Sequence, residues 1–453
     1  MLSGEYNFLV DNMWLAEIIA VILLIIPFFL FFADKKWIFG FYVVSIVANL
    51  PLIFVMVFGF SYEMIIALVI IAVIIRDLIR NKNLLLLSTK ESRAVFFSLC
   101  GLLALNLATS LFNFSKSAFL ERSFVYLVNV FILIIFNFFL INRGRLQIIR
   151  YGFVIGALLI VLTMAIELIY GYNYLQVGRL RPAGLLLDPN VSAFALNLAL
   201  LLSFYKQKRP NSWTNVFFII SRILIVFGIF MTVSRSGYVL ALIILVFFLI
   251  EHSKKKNYFA PLAALFMIVI YFIFQKPLAK TWDNLHLLLD LQRIFPRPSP
   301  PGPSGPGPAL PGPILAEPRY ELLKAGIKIF LHNFSLGIGI GNVPPAMEEL
   351  TGMRMNTHNL VLQLLAESGI FMLVMLLVFF YYLVNLIIKS GRKERFLLGL
   401  ILFAVAVESL FNHNLLNINI VYLLLAFFLA LNILYSKEQT ALSFAQIKNR
   451  FRR

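Results

Sequence analysis

Apolar residues dominate the chain in long runs, and short polar or charged segments separate them. Runs of roughly 15 to 25 residues occur near 14–32, 37–60, 62–79, 93–112, 120–141, 148–170, 188–205, 215–232, 236–250, 258–274, 359–388, 396–411 and 417–435. A helix rises 1.5 Å per residue, so about 20 apolar residues cross a bilayer. The pattern predicts an all-α, polytopic transmembrane bundle of about 12 or 13 spans; the count depends on how 37–79 is divided. The run 236–250 is marginal by itself.

The basic residues fall in the gaps. Asp34-Lys35-Lys36, Arg80 to Arg93, Arg143 to Arg150, Lys206 to Arg209, Lys254 to Lys256, Lys389 to Arg395 and the tail Lys448 to Arg453 are clusters between or after apolar runs. From about residue 80 onward they occupy alternate loops. Cytoplasmic loops carry the excess of Lys and Arg, so these loops and the C-terminus are assigned to the cytoplasm. Loops 113–119, 171–187, 232–235, 275–358 and 412–416 are assigned to the opposite side. Three regions result: transmembrane helices over 1–274 with arginine-bearing outer loops, a long external loop over 275–358, and C-terminal helices plus a basic tail over 359–453.

Composition supports this organisation. Of 453 residues, 61% are hydrophobic and 13% charged, well above the apolar share of soluble domains. The net charge of +18 could point to nucleic acid, but its division into short inter-span clusters fits membrane topology, and no nucleic-acid partner is expected. Cys100 is the single cysteine, which excludes an intrachain disulfide. The N-terminal segment lacks a basic stretch before its first apolar run, so that run is expected to stay as a span.

Within the long loop, 296–313 is Pro/Gly-rich and builds no core. Residues 318–334 then read as a short amphipathic helix at the outer interface, with Leu322, Leu323, Ile327 and Phe330 as its apolar positions. Gly337, Gly339 and Gly341 in "LGIGIGNVPP" read as a flexible turn region. A nucleotide loop needs a preceding strand and a βαβ unit, and neither is present here.

The outer side should be poor in arginine, yet Arg179, Arg181, Arg235, Arg319 and Arg354 lie close to span ends there. A guanidinium is permanently charged and matches phosphate oxygens as a fork. Such a group on several outer loops points to an anionic ligand such as a lipid diphosphate; snorkelling to headgroups is the alternative. Asp188-Pro189-Asn190 has the form of a helix start. Ser234, Arg235, Ser236 and Gly237 make a tight turn between two apolar runs. Asn356-Thr357-His358-Asn359 stands at the mouth of an apolar run, with Gln363 and Glu367 following at helical spacing. His358 is either a polar cap on a packed helix or a base. Polar groups at membrane depth normally face protein or water.

In order, Arg181-x-x-Gly184, Asp188-Pro189-Asn190, Ser234-Arg235-Ser236-Gly237, Arg319 leading to "HNFSLGIGIGN", and His358-Asn359 with Glu367-x-Gly369 resemble the O-antigen ligase/polymerase family of bacterial membrane glycan transferases. The resemblance spans about 180 to 370; the Pro/Gly tract departs from it. It implies metal-independent glycosyl transfer, without a cofactor, on the outer face of the inner membrane. The donor would be an undecaprenyl-diphosphate-linked glycan and the acceptor a glycan or lipid A-core hydroxyl. His358 would be the general base, and Arg235 and Arg319 would handle the diphosphate, with Arg181 as a third. Asp188, Asn190, Ser234, Asn359 and Glu367 would support them. His332 is the rival histidine, read as structural, and His413 ranks below it. Ligase and polymerase share this donor chemistry. A transporter of lipid-linked sugars is the reading from another class; it predicts ionisable groups at mid-membrane, where Glu167, Glu367 and Glu408 are the chief candidates.

Overall fold

The computed structural model describes residues 17–23, 25–26, 35–53, 88–113, 115–140, 143–170, 182–205, 212–252 and 318–450. Regular structure among them is helical, with no strand. The helices are α1 (Lys35–Ala48), α2 (Lys90–Thr109), α3 (Lys116–Leu140), α4 (Arg143–Tyr170), α5 (Pro189–Ser203), α6 (Ser212–Met231), α7 (Arg235–His252), α8 (Pro318–His332), α9 (Val343–Thr351), α10 (Leu360–Ser368), α11 (Ile370–Ile388), α12 (Arg392–Ser409) and α13 (Asn419–Arg450). Six of them contain stretches long and apolar enough to cross a membrane, in α2, α3, α4, α6, α11 and α13. Shorter apolar helices occur at Trp37–Ala48, Pro189–Ser203 and Ser236–Phe248. The protein is a multi-pass membrane protein. The runs at 62–79 and 258–274 and the tract at 296–313 lie outside the described residues.

Contacts divide the chain into two units. The first takes its described residues from 17–26, 47–53 and 153–252; the second from 35–46, 88–152 and 318–450.

In the first unit α5 is the central element, buried along nearly its whole length from Ser192 to Ser203, and it packs on α6 and α7. Small residues allow this. A methyl group on Gly237 would run into Ala193 of α5, and one on Gly228 into Val161 and Leu196. Close backbone approach through small residues is the usual basis of helix packing in lipid, where no hydrophobic force joins helices. The far face of α6 presents Ile219, Ile220, Ile223 and Phe227 outward, the side-chain chemistry that acyl chains require.

In the second unit α13 is the buried helix: Val421 through Leu431 are all shielded. It packs along α3, and α2 packs along α11. Phe39 of α1 stacks on Phe139 of α3 with centroids 3.6 Å apart. The exposed positions of α11, Phe371, Val374, Leu377 and Phe380, recur every three residues and mark its lipid face.

The apolar run at 359–388 is not one helix. Gly369 adopts φ +69°, ψ −161° and breaks it into α10 and α11. That backbone region is open essentially only to glycine. Beside the break, α8 packs into a core. Leu322, Ala325 and Ile329 enter a small core with Val343 and Met347 of α9 and Ala366 of α10. Leu323, Ile327 and Leu331 form a separate outward stripe. The expected apolar positions therefore split between two faces.

The glycine-rich stretch is a seam rather than a flexible turn. Gly337, Gly339 and Gly341 all have positive φ, between 71° and 82°. The Ile338 N–H donates to the Ala366 carbonyl and the Gly339 N–H to the Glu367 carbonyl, each at 2.9 Å. The Ile370 N–H donates to the Phe334 carbonyl at 2.8 Å. A Cβ on Gly337 would fall on the backbone of Glu367, and one on Gly369 on the backbone of Ser335. The loop and the helix break thus fit each other only as glycine against backbone.

Candidate functional site

In the first unit the predicted polar residues meet around two helix starts. Asp188 caps α5: its Oδ1 accepts the Asn190 N–H at 2.7 Å, with Pro189 in the first turn. Satisfying an otherwise orphaned N–H in this way is worth about 0.5–2 kcal/mol. Ser234 plays the same part for α7, accepting the Gly237 N–H at 3.3 Å, and its hydroxyl donates to Asn190 Oδ1 at 2.9 Å. Asn190 and Ser234 therefore tie the two helix N-termini together. Arg235 is the first residue of α7, so its backbone stands where N–H groups and the helix dipole favour an anion. Its side chain, that of Arg319 in the first turn of α8, and Arg181 altogether lie outside the described residues.

Glu167, a mid-membrane candidate by sequence, is buried at the end of α4, and its Oε2 accepts the backbone N–H groups of Ala183 at 2.7 Å and Gly184 at 2.9 Å. Gly184 has φ +59°, and a methyl there would strike Thr163. The carboxylate holds the turn that follows Arg181, a local structural duty that periodicity cannot reveal.

In the second unit His358 stands at the mouth of α10 with φ +53°, a left-handed conformation that costs a non-glycine residue roughly 1–2 kcal/mol. Its neighbours hold it there. The Thr357 hydroxyl donates to the Asn359 carbonyl at 2.8 Å. Asn359 caps α10, its Oδ1 accepting the Leu362 N–H at 2.9 Å. The Thr357 N–H donates to Gln363 Oε1 at 3.2 Å. Non-glycine residues held in such conformations concentrate at functional sites.

Glu367 is fully buried; its carboxylate accepts two side-chain hydrogen bonds and faces one cation. Gln363 Nε2 lies 2.9 Å from its Oε1, and Asn106 Nδ2 lies 3.3 Å from its Oε2. Arg122 Nη2 of α3 is 3.8 Å from Oε1. Arg122 is not among the outer arginines that the sequence singles out, because it lies within α3 rather than in a loop.

His413, which the sequence reading ranks low, lies beside His358. Its ring meets that of His358 edge to face, with centroids 5.4 Å apart. Burial, and then the neighbouring His358 and Arg122, push its pKa down to about 4. It is neutral at pH 7. His332 is exposed, with Nδ1 2.9 Å from the Lys328 carbonyl at the end of α8, which is a helix-end role. Arg354 is 70% exposed and pairs loosely with Glu348 at 3.9 Å, an interaction worth about 0–1 kcal/mol. Among the described residues no group of three or more His, Cys, Asp or Glu is placed to hold a metal ion.

The α6–α7 turn with Ser234 and Arg235, the start of α8, the glycine seam and the His358–Glu367 helix mouth all fall in one stretch of chain. Residues 220–377 match the O-antigen ligase family. The members of this family transfer glycans. No curated protein is similar enough to the chain to count as a match. The matched segment contains His358, Arg235 and Arg319 but not Arg122, His413, Asp188 or Asn190, which reach the same clusters from outside it.

Proposed function

We propose that this chain moves a glycan from undecaprenyl diphosphate to an acceptor hydroxyl, with a lipid A-core sugar as acceptor, on the outer face of a bacterial inner membrane. The observation that carries the reading is His358. It is a histidine in a strained, tightly bonded conformation at a helix mouth, inside the segment that matches the O-antigen ligase family. A neutral imidazole accepts a proton near neutral pH. In this reading His358 takes the hydroxyl proton while the hydroxyl oxygen bonds to the anomeric carbon. The bond from that carbon to the diphosphate oxygen breaks, and undecaprenyl diphosphate leaves with the bonding pair. Arg235, Arg319 and Arg181 are assigned to the diphosphate, whose charge rises as the bond breaks. Arg235 is supported by its place at the start of α7.

The orientation follows the loop charges. Lys389 pairs with Glu91 at 2.7 Å, so the start of α2 and the basic segment 389–395 share one end of the second unit. Asn113 and Ser110 bond to the 337–342 loop, so the poorly charged segments share the other end. We assign the first end to the cytoplasm and the second, with His358, to the exterior. The C-terminus then lies in the cytoplasm.

The test is transfer by purified protein in nanodiscs, with lipid-linked glycan as donor and lipid A-core as acceptor. General-base catalysis contributes about 100- to 10,000-fold, so His358→Ala should lose activity on that scale while still binding donor. His332→Ala should stay close to wild type. Near-normal turnover by His358→Ala would remove the base assignment. Transfer to a second lipid-linked glycan, and none to lipid A-core, would make the protein a polymerase.

A further inference from the structure

The backbone on both sides of His358 is anchored through a series of buried groups, and the series ends on a cation outside the family-matched segment. Gln363 Oε1 accepts the Thr357 N–H. Its Nε2 therefore points the other way, donating to Asn356 Oδ1 at 3.1 Å and Glu367 Oε1 at 2.9 Å. A side-chain amide has two different ends, and a carboxylate only accepts. Glu367 thus dictates which way round Gln363 sits, and with it whether Thr357 finds an acceptor.

A fully buried carboxylate is costly unless paired and hydrogen-bonded. Arg122 supplies the pairing charge, its side chain only 17% exposed and that of Glu367 1%. The guanidinium also sits 5.9 Å from the centre of the Tyr126 ring. The Tyr126 hydroxyl donates to Asn106 Oδ1 at 2.8 Å, and Asn106 donates to both Glu367 and Ser368. Residues of α2 and α3 thereby hold the carboxylate from one side while α10 uses it from the other. Buried ion pairs are weak contributors to net stability compared with apolar packing, so stability alone does not account for this arrangement.

We propose that Arg122 is a positioning residue for His358, acting through Glu367, Gln363 and Thr357. The inference rests on the reading of His358 as the base, and the test separates the two. Wild type, Arg122→Met, Arg122→Met/Glu367→Gln and His358→Ala are compared in nanodiscs by apparent melting temperature, kcat and KM for donor. Displacing a catalytic group by about 1 Å can cost on the order of 100-fold.

The single Arg122→Met variant leaves a buried carboxylate unpaired and should lose melting temperature as well as kcat. The pair variant buries no charge and should melt near wild type. Its kcat should remain about 10- to 100-fold low with KM unchanged, because the amide put in place of the Glu367 carboxylate can present either end to Gln363. Recovery of both melting temperature and kcat in the pair variant would show a structural ion pair and overturn the proposal. A raised KM at unchanged kcat would make Arg122 a substrate ligand and overturn it equally. His358→Ala retaining full turnover would remove the base assignment instead, whatever the Arg122 variants do.

Discussion

Gly369→Ala should be among the most damaging single-methyl additions in the second unit. The residue sits at φ +69°, ψ −161°, where an L side chain pays about 1–3 kcal/mol. The added Cβ would also fall on the Ser335 carbonyl, and backbone gives way less readily than a side chain. Forcing extra volume into a packed site costs about 1–3 kcal/mol. The two terms together come to about 2–6 kcal/mol. Two internal comparisons calibrate the value. Gly352 has a similar φ of +71°, but a methyl added there would meet nothing within 4 Å, so Gly352→Ala should cost only the conformational part, about 1–2 kcal/mol. Gly399 lies in helix α12 with open space and no positive φ, so Gly399→Ala should be neutral or stabilising by up to about 1 kcal/mol. Thermal melting of purified protein in one detergent gives the ranking. Transfer activity should fall with Gly369→Ala as well, because the seam fixes the backbone of Glu367. A Gly369→Ala variant that melts no lower than Gly352→Ala would refute the seam as a close backbone fit.

Three further outcomes are expected. His413 is pushed down to about 4 from an ordinary value of 6.5, so between those values the unfolded chain binds a proton that the folded chain does not. Acid then favours unfolding: the contribution, at most about 3 kcal/mol, is intact above pH 6.5 and lost as pH falls towards 4. Melting between about pH 7.5 and 4.5 should therefore be less acid-sensitive in His413→Gln than in wild type. Arg235→Lys keeps a charge but loses the fork, and it should impair transfer, as should Arg319→Ala; wild-type turnover in both would end the diphosphate assignment. Ser304→Cys in a Cys100→Ser background should react with an impermeant thiol reagent in intact cells without their outer barrier, and labelling only after inner-membrane permeabilisation would reverse the topology.

Much of the architecture was legible in the sequence because its causes are local. Apolar runs of bilayer length report helices wherever the solvent is hydrocarbon. Asp188 caps a helix because a short polar side chain before a helix reaches the free N–H groups of its first turn, and it does so here. The order of motifs from Ser234 to Glu367 was likewise visible along the chain, and it is the stretch that matches the O-antigen ligase family.

Tertiary structure decided what depends on residues distant in sequence. The run 359–388 reads as continuous because hydropathy does not register φ; only the fit of Gly369 against Ser335 shows the break. The glycines at 337–341 look flexible until their N–H groups are seen on the carbonyls of Ala366 and Glu367. His413 reads as an ordinary loop histidine until folding sets its ring edge to face with that of His358. Asn106 and Glu367 are 261 residues apart, and Arg122 looks like one more charge near a span end. A buried carboxylate needs a countercharge, but only the packing of α2, α3 and α10 determines which one it meets.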